Sequence, residues 1–581
     1  MSDPITVEVI RHGLAAASRE MGVTLRNTSC SPIFNEGNDY SCGIFDARTE
    51  LVSHGEFLPI HLGSLPFSVR YAIEAFGLDG FQPGDAVLLN DPYKGGSHLP
   101  DVTIVSPIFV DDVLVGFAAN RAHHLDVGGT VAGSFYASAT ENYQEGLRIT
   151  PIKLFQAGEL DVRLLELVLT NCRLPGQMRM DLQSQVSANR TAIERVGLLV
   201  ERHGIATFRD AVDAILDSSE RRMRAVIRTW SDGDYEASDY LDNDGISEAR
   251  REIHVTVRIR GDAAQVDFTG TAEQSAGPLN SVLGYTHAGV YMTFQAASDP
   301  DIAPNSGCYR PITIIAPEGT MVNPRFPAAC TGGNEVAMII HNTVFRALAK
   351  VGGDGRRPMV MACDQGSSNN LLIAGNDPRT GARYVLYEYP EGGWGGNRQR
   401  DGLSATFSIA GNTWNIPVEA VERRFPVRIE RYEYATDSGG AGIHRGGLGV
   451  RRDYRVLGHE AELSILGNRA LVAPWGLDGG SDGGLADYRL DVGTVEDRPA
   501  SPRFRSKGTM IRLAPDTLVT QITAGGGGWG DPSERDPELV ARDVALGFVS
   551  REAAERIYRV ALSDDGAIDH GRTSGLRGEK D

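Results

Sequence analysis

NDPYKGGSHLPDVTIVSPIFVDDVLVGFAANRAHHLDVGG, residues 90–129, is the stretch on which the fold of this chain turns. Two apolar runs flank Asp111-Asp112 and polar clusters stand at the two outer ends, the pattern of a β-hairpin with the aspartate pair at its tip. If Val110 pairs with Val113 across a two-residue loop, the same register sets Pro100 opposite His123 and Asp101 opposite Ala122. A bulge would shift this by a residue. His98, Asp101 and His123 then meet at the open end of the hairpin.

Cross-strand neighbours lie about 5 Å apart, close enough for imidazole and carboxylate groups to share a divalent cation whose ligand bonds are about 2 Å long. His124 and Asp126 stand beside the cluster. Adjacent strand residues point to opposite faces, so only one of His123 and His124 is expected to bind an ion directly, leaving the other to orient water or substrate. A fourth ligand must come from elsewhere, and Asp39 in FNEGNDYSCGIF is the local candidate, with Glu36 behind it. Such a nitrogen and oxygen set suits zinc, manganese or iron, and sequence does not choose among them. The competing reading is plain: His-x-x-Asp pairs also occur as loop hydrogen bonds, and His-His as a solvated turn. A bound divalent ion lowers the pKa of water toward about 7 and supplies hydroxide, so hydrolysis is the natural chemistry. His61 in LPIHLGS or His124 would serve as proton acceptor by residue type, although His61 alone also reads as a satisfied interior histidine.

Outward from this stretch, 581 residues are enough for more than one core, and two to four subdomains are expected. A net charge of −19 argues against nucleic acid, whose phosphates need clustered Lys and Arg. The start, MSDPITVEVIRHG, has neither a basic region nor an apolar one, and no apolar run is long enough to span a bilayer, so cytoplasm is the default and no membrane partner is expected. Six scattered cysteines read as free, mostly buried thiols, with Cys330 the one candidate for reactivity.

Ser2 or Asp3 before Pro4 caps an amphipathic helix through Val7, Ile10, Leu14, Ala17 and Met21. Short apolar runs broken by Gly, Asp, Asn and Pro follow, then helical periodicity from Gln177 to Trp230. A hairpin turns at Gly261-Asp262, many short strands lead toward residue 530, and two short helices close the chain. The fold class is α+β. Its expected parts are 1–175, an N-terminal part carrying the hairpin; 176–232, helical; 233–533, β-rich with many glycines; and 534–581, a helical tail. The segments GGWGGN, DSGGAGIHRGGLG and TAGGGGWGDP have no fixed period and read as tight turns. No GxxxxGK[ST] loop occurs, so an ATP requirement would fall to a partner.

NDPYKGGSHLPD, RAHHLDVGG, VDFTGTAEQSAGPLN, DSGGAGIHRGGLG and TAGGGGWGDP together resemble the hydantoinase B family, from the first helix to the tail. That family includes B subunits of N-methylhydantoinase, caprolactamase and 5-oxoprolinase, and the corresponding subunits of acetone and acetophenone carboxylases. The resemblance implies a hydantoinase A type partner that binds ATP and phosphorylates the substrate carbonyl. It also implies a metal, zinc first, held by His98, Asp101, His123 and Asp39. Hydroxide would then attack the activated carbon, with His124 or Asp126 as proton acceptor. The expectation is an ATP-dependent cyclic-amide hydrolase working as a heterotetramer. A ketone carboxylase and a non-catalytic scaffold of the ATP-binding subunit are the alternatives.

Overall fold

In the computed structural model, which describes residues 3–352 and 357–578, the hairpin lies at the centre of a seven-stranded sheet. The order is Leu51–His54, Tyr40–Asp46, Val113–His123, Asp101–Val110, Ala86–Leu89, Ile152–Gln156, Glu159–Leu160, every pair antiparallel. Asp111 and Asp112 take positive φ, 47° and 61°, so the loop twists as hairpin strands require and Val110 pairs with Val113. A bulge between Ile108 and Phe109 then corrects the simple register: Asp101, not Pro100, stands opposite His123.

Both faces of this sheet are covered, which is why its strands are nearly continuous apolar runs. Val105, Phe117 and Ala119 pack with Leu62, Leu65 and Val69 of the helix Pro59–Phe76. Val102, Ile104 and Leu88 pack with Leu182 and Val186 of the helix Pro175–His203. Alternation along the strands puts Asp101 and His123 on the Pro59–Phe76 side.

The first helix runs Pro4–Thr28, with Asp3 accepting from the Thr6 amide as its cap; Ser2 lies outside the described residues. It buries Ile10, Leu14, Ala17 and Met21 and packs along Pro175–His203, where Thr24 and Thr191 share a hydrogen bond. Gly204, at φ 81°, separates that helix from Ile205–Ile227. The hairpin at Gly261-Asp262 joins Arg251–Arg260 to Ala263–Asp267 within a four-stranded sheet against which the helix Gly333–Leu348 packs. Two further antiparallel sheets, of four and five strands, carry residues 370–522. One hydrophobic cluster runs from Ile10 through Val196, Ile253 and Ile340 to Trp475, so helices and sheets from the N-terminal, central and β-rich parts share a core. The result is an α+β molecule of several sheets.

The glycine segments do something other than turn. Residues 525–528 thread between backbones: Gly526 donates to the Gly447 carbonyl at 3.0 Å, Gly527 to Cys363 at 2.8 Å, Gly528 to Ser481 at 2.9 Å. A Cβ on Gly526 would sit 2.0 Å from the Trp394 carbonyl oxygen, so this layer admits no side chain. The tail forms the two expected helices, Pro537–Ala545 and Arg551–Arg556, and also a third, His570–Arg577. Among the described residues, no helix is long and apolar enough to cross a membrane.

Candidate metal centre

At the open end of the hairpin, His98 Nε2, Asp101 Oδ1 and His123 Nδ1 form a small triangle. Its edges are 3.1 Å from His98 to Asp101, 3.2 Å from His123 to Asp101, and 3.2 Å between the two rings. Ligand bonds of about 2.0–2.1 Å hold donor atoms about 3.0–3.4 Å apart, so these three atoms fit one divalent cation. All three residues are buried, and no other group of His, Cys, Asp or Glu among the described residues is arranged this way.

The second Asp101 oxygen is occupied from three sides. Tyr285 Oη donates to Oδ2 at 2.6 Å, Ser97 Oγ donates to it as well, and His61 Nε2 lies 3.3 Å away. Oδ1 is thereby turned to the triangle. Burial alone would raise the Asp101 carboxyl, but the His98 and His61 imidazoles and the His123 hydrogen bond hold it well below the usual range. Burial pushes His123 down to about 4 and lowers His61, against the pull of the Asp101 carboxylate in each case. Asp39 lines the same small cavity but lies outside the tight group; burial, and then the Asp101 charge, raise its carboxyl well above the usual range. Its backbone carbonyl accepts from the His123 amide at 3.1 Å, which locks the two chain segments together.

Several buried polar atoms at this cavity have no hydrogen-bond partner: His61 Nδ1, His98 Nδ1, Tyr389 Oη and Thr413 Oγ1. Buried polar atoms are nearly always satisfied, so four on residues lining one cavity make it a candidate ligand site.

His124 and Asp126 are not brought to this cavity. The His124 ring faces the opposite side of the sheet, with Nε2 2.9 Å from Gln185 Oε1 on the helix Pro175–His203. Asp126 accepts from the Gly128, Gly133 and Arg173 amides and pairs with the Arg173 side chain at 3.1 Å. Both are held in hydrogen bonds of their own, and neither sits where a proton acceptor is needed. Glu36 pairs with Arg424 at 3.5 Å. Cys330 is buried, and burial and then Glu145 raise its thiol far above the usual range, which disfavours the reactive thiolate; all six cysteines are free. Tyr285, Tyr389 and Thr413 carried no motif signal, because they come from segments remote from the hairpin. Ser97 was visible, one residue before His98, but its hydroxyl had no assigned partner.

Fold and centre together place the chain in a class: it belongs to the Hydantoinase B/oxoprolinase family, whose profile matches residues 3–532. The B chain of a putative D-/L-hydantoinase from a Pseudomonas species is 32% identical over 99% of this chain and 98% of its own. The beta chain of the Pseudomonas jessenii caprolactamase is also 32% identical, over 99% of both chains. The crystal structure of the ATP-dependent caprolactamase from that organism superposes with a TM-score of 0.91 at 30% identity, covering 99% of each chain. Nucleotide-free acetone carboxylase shares the fold, with a TM-score of 0.88 at 20% identity over 99% of this chain and 83% of that one.

Proposed function

We propose that this chain is the metal-dependent hydrolytic subunit of a two-component, ATP-dependent cyclic-amide hydrolase. It opens a hydantoin, N-methylhydantoin, oxoproline or lactam ring after a hydantoinase A type partner has phosphorylated the substrate. The observation that carries this reading is the buried triangle of His98, Asp101 and His123 in a chain whose full-length relatives include the B chain of a hydantoinase and the beta chain of a caprolactamase.

His98, Asp101 and His123 would hold the cation, zinc before manganese or iron, with Asp39 completing the set. When bound, such an ion supplies hydroxide from water at neutral pH. Tyr285 and Ser97 fix Asp101 so that Oδ1 faces the centre. His61 holds Nε2 against Asp101 and leaves Nδ1 without a partner, which supports the reading of this ring as the proton acceptor.

Reconstitution with the partner tests this. Ring opening that needs both proteins and consumes ATP is the expected result; full turnover without ATP or partner contradicts it. A product that forms only with bicarbonate would assign the chain to the ketone carboxylases instead.

A further inference from the structure

The cavity at the metal centre measures about 40 Å³, room for roughly three waters at about 10–15 Å³ each. An amide ring does not fit there. A second cavity, of about 640 Å³, adjoins it, and Phe407 and Thr413 line both. Pockets that enclose small ligands run from about 300 to 1,000 Å³, so the outer cavity has the size the inner one lacks.

Its walls are largely apolar, formed by Phe57, Leu62, Met292, Tyr309, Trp394 and Ile409 among others. Among the described residues, no Lys or Arg lines it. His54 does, but burial lowers its pKa and keeps the ring neutral at pH 7. The acidic groups are Glu56, paired with Arg19 at 2.7 Å, and Glu391, which burial pushes up to about 7 and which accepts from Tyr432 at 3.3 Å. The shared wall is anchored on two sides. Ala410 accepts from the Ile60 amide on the helix that carries His61, and Phe407 accepts from the Trp394 indole. At the junction stands the Thr413 hydroxyl, buried and unpartnered, with the unpartnered Tyr389 hydroxyl in the inner cavity.

We propose that the outer cavity binds the ring of an uncharged cyclic amide, delivers its amide group to the Thr413 and Tyr389 hydroxyls, and rejects rings that carry a carboxylate. An amide supplies one acceptor and one donor, what two orphan hydroxyls can use. A ring carboxylate would be desolvated against apolar walls and two further carboxyl groups, with no cation on the lining to pair it. Hydantoin and simple lactams pass this filter and 5-oxoproline does not. The identity of the ligand as a cyclic amide rests on the proposed function; its binding requires neither ATP, partner nor turnover.

The test is equilibrium binding of ε-caprolactam, hydantoin and 5-oxoproline to the purified full chain by calorimetry, for wild type, Ile409→Trp and Thr413→Val, with thermal melts to show that each variant is folded. Caprolactam or hydantoin should bind, and 5-oxoproline at least about tenfold more weakly. Ile409→Trp should weaken lactam binding by narrowing the cavity with a bulkier wall. Thr413→Val, which keeps the shape, should weaken it about tenfold, the scale of one hydrogen bond. Binding of 5-oxoproline as tight as that of the lactams, no binding of either uncharged probe, or folded variants that both bind like wild type would each overturn the proposal. If Ile409→Trp does not fold, Thr413→Val decides alone. Lactam binding as described without ATP-dependent hydrolysis would remove the proposed function and leave the cavity assignment. Tight 5-oxoproline binding with ATP-dependent ring opening would do the reverse.

Discussion

Asp101 is the residue on which the centre is built, because its two oxygens have separate tasks: Oδ1 meets His98 and His123, while Oδ2 is held by Tyr285, Ser97 and His61. Tyr285→Phe should therefore weaken metal affinity about 10- to 100-fold, the usual cost of losing a hydrogen bond behind a ligand, without unfolding the chain. Competition with a chromophoric chelator measures it. Asp126→Ala should behave in the opposite way. It removes three accepted amides and an ion pair with Arg173, costing about 2–4 kcal/mol of stability, yet leaves metal affinity intact. His98, Asp101 and His123 were legible in the sequence because one hairpin carries all three, and parity accounts for the separation of His123 from His124. Tyr285 was not legible, since a hydrogen bond across 184 positions leaves no local pattern.

At the scale of elements, the hairpin tip could be read and its bulge could not. Asp111-Asp112 between apolar runs signals a two-residue turn, whereas the extra residue, Val115 opposite the Ile108/Phe109 step, follows from twist and packing that no spacing encodes. Asp112 takes φ 61°, so Asp112→Gly should relieve strain and raise stability by about 1 kcal/mol, seen as a higher melting temperature. Glu145 fastens the Asn142–Gln144 turn to the segment before Gly333–Leu348, accepting from the Cys330 amide at 2.9 Å and Thr331 at 2.7 Å. Burial pushes its carboxyl from 4.5 to about 7. The unfolded chain thus gives up this proton first, so the group's contribution is full below pH 4.5 and is lost as pH rises to about 7. Glu145→Gln stays neutral throughout. Relative to wild type its melting temperature should climb across that window and then level off, and a pH-independent difference would refute the assignment.

Across the whole molecule, α+β class and the order of helical and β-rich parts followed from periodicity, while the glycine layer did not. Its glycines have no repeat because each answers to the backbone of a different segment: Gly526 to Trp394, Gly527 to Trp475, Gly528 to Ala441. This layer also carries Trp394 and Leu403 into the wall of the outer cavity, which adjoins the cavity of the candidate metal centre. Gly526→Ala should cost more than about 3 kcal/mol, since backbone rather than a movable side chain blocks the new methyl. Poor soluble yield or a large drop in melting temperature is the expected readout.

The central claim is that His98, Asp101 and His123 hold a catalytic cation. Elemental analysis of purified protein, wild type beside His98→Ala and Asp101→Ala, with ring opening assayed after addition of partner and ATP, tests it most directly. Stoichiometric metal in the wild type, lost together with activity in both folded variants, is the predicted result; a metal-free wild type that remains fully active would contradict it.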